Sequence, residues 1–176
     1  APSTPQFCRN ALDPATRLGQ IVVACVYSSY VAVHLVAHPI AQHALLRIRN
    51  RSTTPSQFRR LATRLAGIIA LEATRDLATE ERAVDTPLEP ATGRALAHDV
   101  AVVPVLRAGL SMVEAVLALL PEARVGHVGL QRDEATAIAS RYYLKLPAIT
   151  PRTTVLVVDP MLATGGSSVA AIDLLV

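Results

Sequence analysis

Apolar positions in this chain follow two regimes. In the first half they recur at intervals of three and four. Phe58, Leu61, Leu65, Ile68 and Ile69 form one stripe, with Arg59, Arg60, Arg64 and Glu72 mostly off it. That spacing predicts a long amphipathic helix over Ser56–Thr79 whose stripe packs into a core. In the second half the apolar residues come in short unbroken runs. Val100–Val105, Arg124–Leu130 and Val155–Val158 read as strands buried on both faces. Gly109–Leu120 reads as a helix ended by Pro121, and a final helix opens at Ser167/Ser168. Upstream, Val31–Val36 predicts a short first strand, Ile40–Arg49 a helix, and Ser52-Thr-Thr-Pro55 its break. Residues 80–97 contain Pro87, Pro90 and Gly93, which suggest short strands or a loop excursion.

The second half thus runs strand, helix, strand, polar hairpin, strand, helix. This rhythm implies an α/β fold, a parallel sheet flanked by helices. Ligands of such sheets bind beyond the carboxyl ends of the strands. Arg107, Arg132 and Asp159 all follow predicted strands, so three separate loops converge on one edge.

Composition narrows the partners. The chain has 176 residues, 51% of them apolar and 18% charged, enough for one globular core. Net charge is +3 without a run of lysines or arginines, and four Tyr and two Phe are the only aromatics. Nothing in this pattern fits nucleic acid. Ile21–Ala37, the longest apolar run, is broken by Ser28, Ser29 and His34 and is too short and polar to span a membrane. Cys8 and Cys25 form no CxxC pair and read as free thiols, which fits a cytoplasmic protein. His34, His38 and His43 lie close together, but Pro39 keeps one helix from aligning them, so no metal site is expected there.

The densest chemistry lies at Val155-Leu-Val-Val-Asp159-Pro-Met-Leu-Ala-Thr-Gly-Gly-Ser-Ser168. A buried strand ends on a carboxylate, and a small-residue turn leads into a helix. Backbone N–H groups and hydroxyls at a helix start suit a phosphate. The carboxylate beside them suits hydroxyls or a metal, and a sugar phosphate satisfies both demands. The glycines alone are equally compatible with a tight turn followed by an N-cap.

The whole string is more specific than its glycines. Asp159 to Ser167 resembles, at every position, the phosphoribosyl-diphosphate loop of the uracil phosphoribosyltransferase family. Pro160 stands where other type I phosphoribosyltransferases usually place a second acidic residue. Three further segments resemble the family in order. They are Val103-Pro-Val-Leu-Arg107-Ala-Gly-Leu110, the stretch Val125–Glu134 with Arg141–Pro147, and Leu71-Glu-Ala-Thr-Arg-Asp-Leu77. Residues 31–176 are expected to form the core, and residues 1–30 an extension without a family counterpart.

The resemblance implies transfer of the ribosyl phosphate of 5-phospho-α-D-ribose 1-diphosphate to uracil, giving UMP and diphosphate. It implies that Arg107 binds the diphosphate, that Arg132 at the base of the hairpin is a second catalytic and substrate-binding arginine, that Asp159 meets the ribose hydroxyls directly or through Mg²⁺, and that the loop Pro160, Met161, Leu162, Ala163, Thr164, Gly165, Gly166 and Ser167 holds the substrate. Gly109 is expected to let backbone approach closely beside Arg107. Mg²⁺ is expected mainly on the substrate diphosphate. A homo-oligomer and a possible GTP effector are implied in the same way. Two departures stand out: Glu134–Ser140 lacks the acidic residue and proline usual in that hairpin, and Leu71 replaces a common Tyr. The chain ends inside the helix after the phosphate loop, before the glycine-rich segment that holds uracil in the family, so the fold is expected to be incomplete at its C-terminus. A phosphoribosyl-diphosphate or nucleotide-binding module without catalysis is the alternative reading.

Overall fold

The computed structural model describes residues 22–27, 30–132, 139–161 and 165–175. Strands β1 (Val22–Tyr27) and β2 (Tyr30–Leu35) pair antiparallel. Helix α1 (Pro39–Ile48) follows, then α2 (Pro55–Ala73), and their apolar faces meet around Val36, Ala41, Ala44, Leu61 and Leu65. Both helices start on a proline at the first turn, where a missing N–H costs nothing. At α2 the Thr54 hydroxyl accepts from the Gln57 N–H at 3.4 Å, and the Gln57 side-chain oxygen accepts from the Thr54 N–H at 3.0 Å. This reciprocal capping box fixes the start of the longest helix.

The predicted helix over Ser56–Thr79 runs past the real end of α2 at Ala73. The Thr74 hydroxyl donates to the Ala70 carbonyl at 2.8 Å and the Leu71 carbonyl at 3.2 Å. A side chain thus takes up carbonyls of the last turn, and the chain departs into β3 (Thr79–Asp85). β3 and β4 (Pro90–Leu96) form an antiparallel hairpin that is exposed along nearly its whole length.

The core sheet is built around β5 (Val100–Leu106), of which Val102, Val103 and Pro104 are fully buried. On one flank β9 (Thr154–Val158) pairs parallel from Val100↔Thr154 to Pro104↔Val158. On the other flank lie β6 (Arg124–Val125) and then β7 (His127–Arg132), both parallel to β5. The predicted strand over Arg124–Leu130 is therefore two pieces separated at Gly126, whose N–H still reaches the Val102 carbonyl at 2.9 Å. Residues of a strand direct their hydrogen-bonding groups to alternate flanks. Pro104 therefore turns its missing N–H to the same flank, between the β6 and β7 pairings. β8 (Ala139–Lys145) returns antiparallel on β7.

Helices cover both faces. Val102, Leu156 and Val158 pack with Ala66 and Ala70 of α2 and with Met112, Ala115 and Val116 of α3 (Leu110–Leu119). Val103, Val105 and Val128 pack on the opposite side with Ala171 of α4 (Gly166–Ile172). Burial on both faces accounts for the unbroken apolar run of β5. The α/β class and the parallel sheet between helices agree with the sequence pattern.

Replacing Thr54 with Ala should lower stability by about 1 kcal/mol through loss of the cap. The readout is a lower urea midpoint at unchanged m-value, restored by Thr54→Ser. An unchanged midpoint would show that the capping box contributes nothing.

Candidate active site at the carboxyl edge of the sheet

β5 ends at Leu106, and the chain turns within three residues into α3. The Leu106–Arg107 peptide bond is cis. The Gly109 N–H donates to the Val105 carbonyl at 2.9 Å, and the Ser111 hydroxyl donates to the Ala108 carbonyl at 2.8 Å. This tight turn leaves Arg107 exposed at the end of the central strand. Gly109 has ordinary helical dihedrals, φ −57° and ψ −24°, so backbone freedom is not why glycine stands there. A Cβ at this position would collide with the Val158 carbonyl oxygen and lie 2.7 Å from the backbone N and O of Val105. The close approach expected at Gly109 is thus an approach of protein to protein. It seats the turn after β5 against the end of β9.

β9 delivers Asp159 to the same edge. Its Oδ1 accepts the Met161 N–H at 2.9 Å, a local bond that orients the half-buried carboxylate. After the turn, Gly165 is buried at φ 79° and ψ −7°, a left-handed conformation that glycine adopts without steric cost. It precedes α4, whose second residue is Ser167.

These elements enclose a cleft of about 280 Å³. Arg107 from the end of β5, Asp159 from the end of β9 and Ser167 from the start of α4 supply a cation, a carboxylate and a hydroxyl. Leu130 and Met161 add apolar surface, and Val105, Leu106 and Ala108 complete the wall. A ligand with both an anionic group and hydroxyls meets complementary chemistry here. Among the sequence-predicted site residues the structure brings Arg107, Asp159, Met161 and Ser167 to one cleft. Pro160 follows Asp159 on the exposed side, and Gly166 opens α4. The backbone of Arg132 closes β7, while its side chain lies outside the described residues, as do Leu162, Ala163 and Thr164. The sequence reading did not single out Leu130, Leu106 or Ala108. They lay inside the family-like segments Val103–Leu110 and Val125–Glu134, and their further signal was position, at or just beyond the carboxyl ends of β5 and β7.

Among the described residues, no group of three or more His, Cys, Asp or Glu is placed to hold a metal ion. The Nδ1 of His38 accepts the Ile40 N–H at 3.2 Å and caps α1. No helix of the described residues is long and apolar enough to cross a membrane.

Three comparisons bear on the family. The sequence model for uracil phosphoribosyltransferase matches residues 35–176. The uracil phosphoribosyltransferase of Dictyoglomus turgidum is 49% identical over 144 residues, which cover 81% of this chain and 70% of the relative. That of Symbiobacterium thermophilum is 50% identical over 144 residues, 81% of this chain and 69% of the relative. A solved structure from Aquifex aeolicus superposes with a TM-score of 0.73 at 34% identity, covering 78% of this chain and 66% of that one. The chain spans about two thirds of that solved chain and slightly more of the two relatives. With the same parallel sheet and a match over most of its length, this chain belongs to the uracil phosphoribosyltransferase family, a family of glycosyl-transferring enzymes.

Proposed function

We propose that the cleft binds 5-phospho-α-D-ribose 1-diphosphate and that the chain serves the reaction of its family, transfer of the phosphoribosyl group to uracil. The bond from ribose C1 to a diphosphate oxygen breaks, a bond from C1 to uracil N1 forms, and the N1 proton is lost. The observation that carries this reading is the convergence of Arg107, Asp159 and Ser167 on one cleft. Nothing in the structure or the relatives favours a binding module without catalysis.

Charge decides the roles. The leaving diphosphate gains negative charge as the bond breaks, so a preorganised cation lowers the barrier. Arg107 offers a planar fork of donors to phosphate oxygens. Arg132, whose backbone closes β7, is assigned as the second substrate-binding arginine on the family resemblance. Asp159 accepts from the ribose hydroxyls, and its charge favours the cationic character that develops at C1. Thr164, Gly165, Gly166 and Ser167 hold the 5-phosphate through N–H groups and hydroxyls. Pro160, Met161, Leu162 and Ala163 belong to the same substrate-binding stretch.

The donor set suits a Mg²⁺ ion carried mainly by diphosphate oxygens and water, since among the described residues the cleft offers one carboxylate, Asp159, and no protein cage. When bound, such an ion neutralises leaving-group charge. A homo-oligomer, a GTP effector, a cytoplasmic location and a division into residues 1–30 and a 31–176 core belong to the same proposal and rest on the family resemblance.

Calorimetry with the magnesium salt of 5-phospho-α-D-ribose 1-diphosphate tests the site. Asp159→Ala and Arg107→Ala should each weaken binding by about tenfold or more, since a hydrogen bond to a charged group contributes about 1.5–3 kcal/mol. If both variants bind like wild type, the site is elsewhere. Gly109→Ala leaves every polar group in place but forces the turn off β9. A loss of affinity close to that of Arg107→Ala is expected, and undiminished binding would show that the seating of this turn does not position Arg107.

A further inference from the structure

The β7–β8 hairpin carries an arginine that the proposed function leaves unused. Arg141 lies on β8, is exposed, and makes no ion pair with another described residue. Its placement is decided by a bulge. Tyr143 pairs with Gly129, so a regular ladder would put Tyr142 opposite Leu130 and Arg141 opposite Gln131. Instead Leu130 pairs with Arg141, and Tyr142 is the extra residue.

The extra residue changes the face on which Arg141 falls, because directly opposed residues share a face. Gly129 reports one face. A Cβ there would lie 2.7 Å from both the Tyr142 ring and the Tyr143 Cβ, so both tyrosines cover the Gly129 side. Arg141 falls on the other side with Leu130, which packs against the Val103, Val105, Val128 and Ala171 cluster and lines the cleft. Without the bulge, Arg141 would point away from the cleft.

Leu130 links the two arginines. It lines the cleft together with Arg107 at the end of β5, and on its other flank it pairs with Arg141 of β8. Leu130 thus offers an apolar floor beside which a guanidinium from β8 can reach an anion held in the cleft.

We propose that Arg141 is a further ligand-binding residue of this cleft, contacting the anionic group of the ligand from the β8 side, opposite Arg107. The inference rests on reading the cleft as a sugar-diphosphate site. A diphosphate presents oxygens in several directions, and cations on two sides match it better than one.

Modification of wild-type protein by phenylglyoxal, followed by mass spectrometry, tests this without altering the fold. The magnesium salt of 5-phospho-α-D-ribose 1-diphosphate should slow modification of Arg107 and Arg141 together by about fivefold or more, leaving exposed Arg64 of α2 unaffected. Protection of Arg107 without Arg141 overturns the proposal and leaves the cleft reading intact. Protection of neither overturns both. By calorimetry, Arg141→Gln should weaken binding of the same ligand by about five- to twentyfold, with part of the loss restored in Arg141→Lys. An Arg141→Gln variant binding within about twofold of wild type overturns the proposal.

Discussion

The site depends on the parallel register between β5 and β9. Pro104 stands opposite Val158, so Arg107 and Asp159 leave the sheet at the same edge, one from each of two adjacent strands. Side chains alternate along a strand, so a slip of one residue would turn Asp159 to the face covered by α2 and α3. The slip is opposed on both faces at once. Leu156 and Val158 pack toward the α2 and α3 side, while Val155 and Val157 pack toward the α4 side. Burying a polar or charged side chain in place of any of these would cost far more than the turn geometry could repay. Gly109 completes the constraint, because the turn carrying Arg107 rests directly on the carbonyl that precedes Asp159.

A second register acts on the far side of β5. Between β7 and β8 the ladder is regular except between Gly129 and Leu130, where one residue is inserted on β8. The bare backbone of Gly129 makes room for the Tyr142 ring, so glycine and bulge belong to one device. Its effect is to leave Tyr142 and Tyr143 on the Gly129 face and to place Arg141 with Leu130 on the opposite one. In both registers a backbone relation, not a loop sequence, decides which charges share a face.

Much of this fold could be read from apolar spacing, because strands buried on both faces leave unbroken runs and the α2 stripe has a clear period. What could not be read has a common physical origin. The β3–β4 hairpin has both faces exposed, so Thr79-Glu-Glu-Arg-Ala-Val-Asp85 carries no alternation, and Pro87, Pro90 and Gly93 could suggest short strands without separating them from a loop excursion. The end of α2 depends on one hydroxyl, Thr74, in a stretch whose composition remains compatible with helix. The break at Gly126 depends on pairing to β5, which is not a local property of residues 124–130. At the site, Arg107, Asp159 and Ser167 were legible from their motifs. Leu130 was not, because its place in the cleft comes from the pairing of β7 with β5.

The Asp159-Pro160 pair shows how local chemistry and global charge meet in this cleft. Proline has no N–H, so the first backbone donor after Asp159 is that of Met161, and the carboxylate takes it at 2.9 Å. Proline also disfavours helical dihedrals in the residue before it, which keeps Asp159 in line with β9 instead of letting the chain curl early. The same substitution limits negative charge. An acidic residue at 160 would put two carboxylates next to a ligand that itself carries phosphates, and like charges in a partly desolvated cleft repel strongly. With Pro160, Asp159 is the single carboxylate of the cleft among the described residues, held by its own turn, while Arg107 comes from a separate strand. The turn is thereby stiffened and the charge balance shifted toward an anionic ligand by one residue, without a change in the fold.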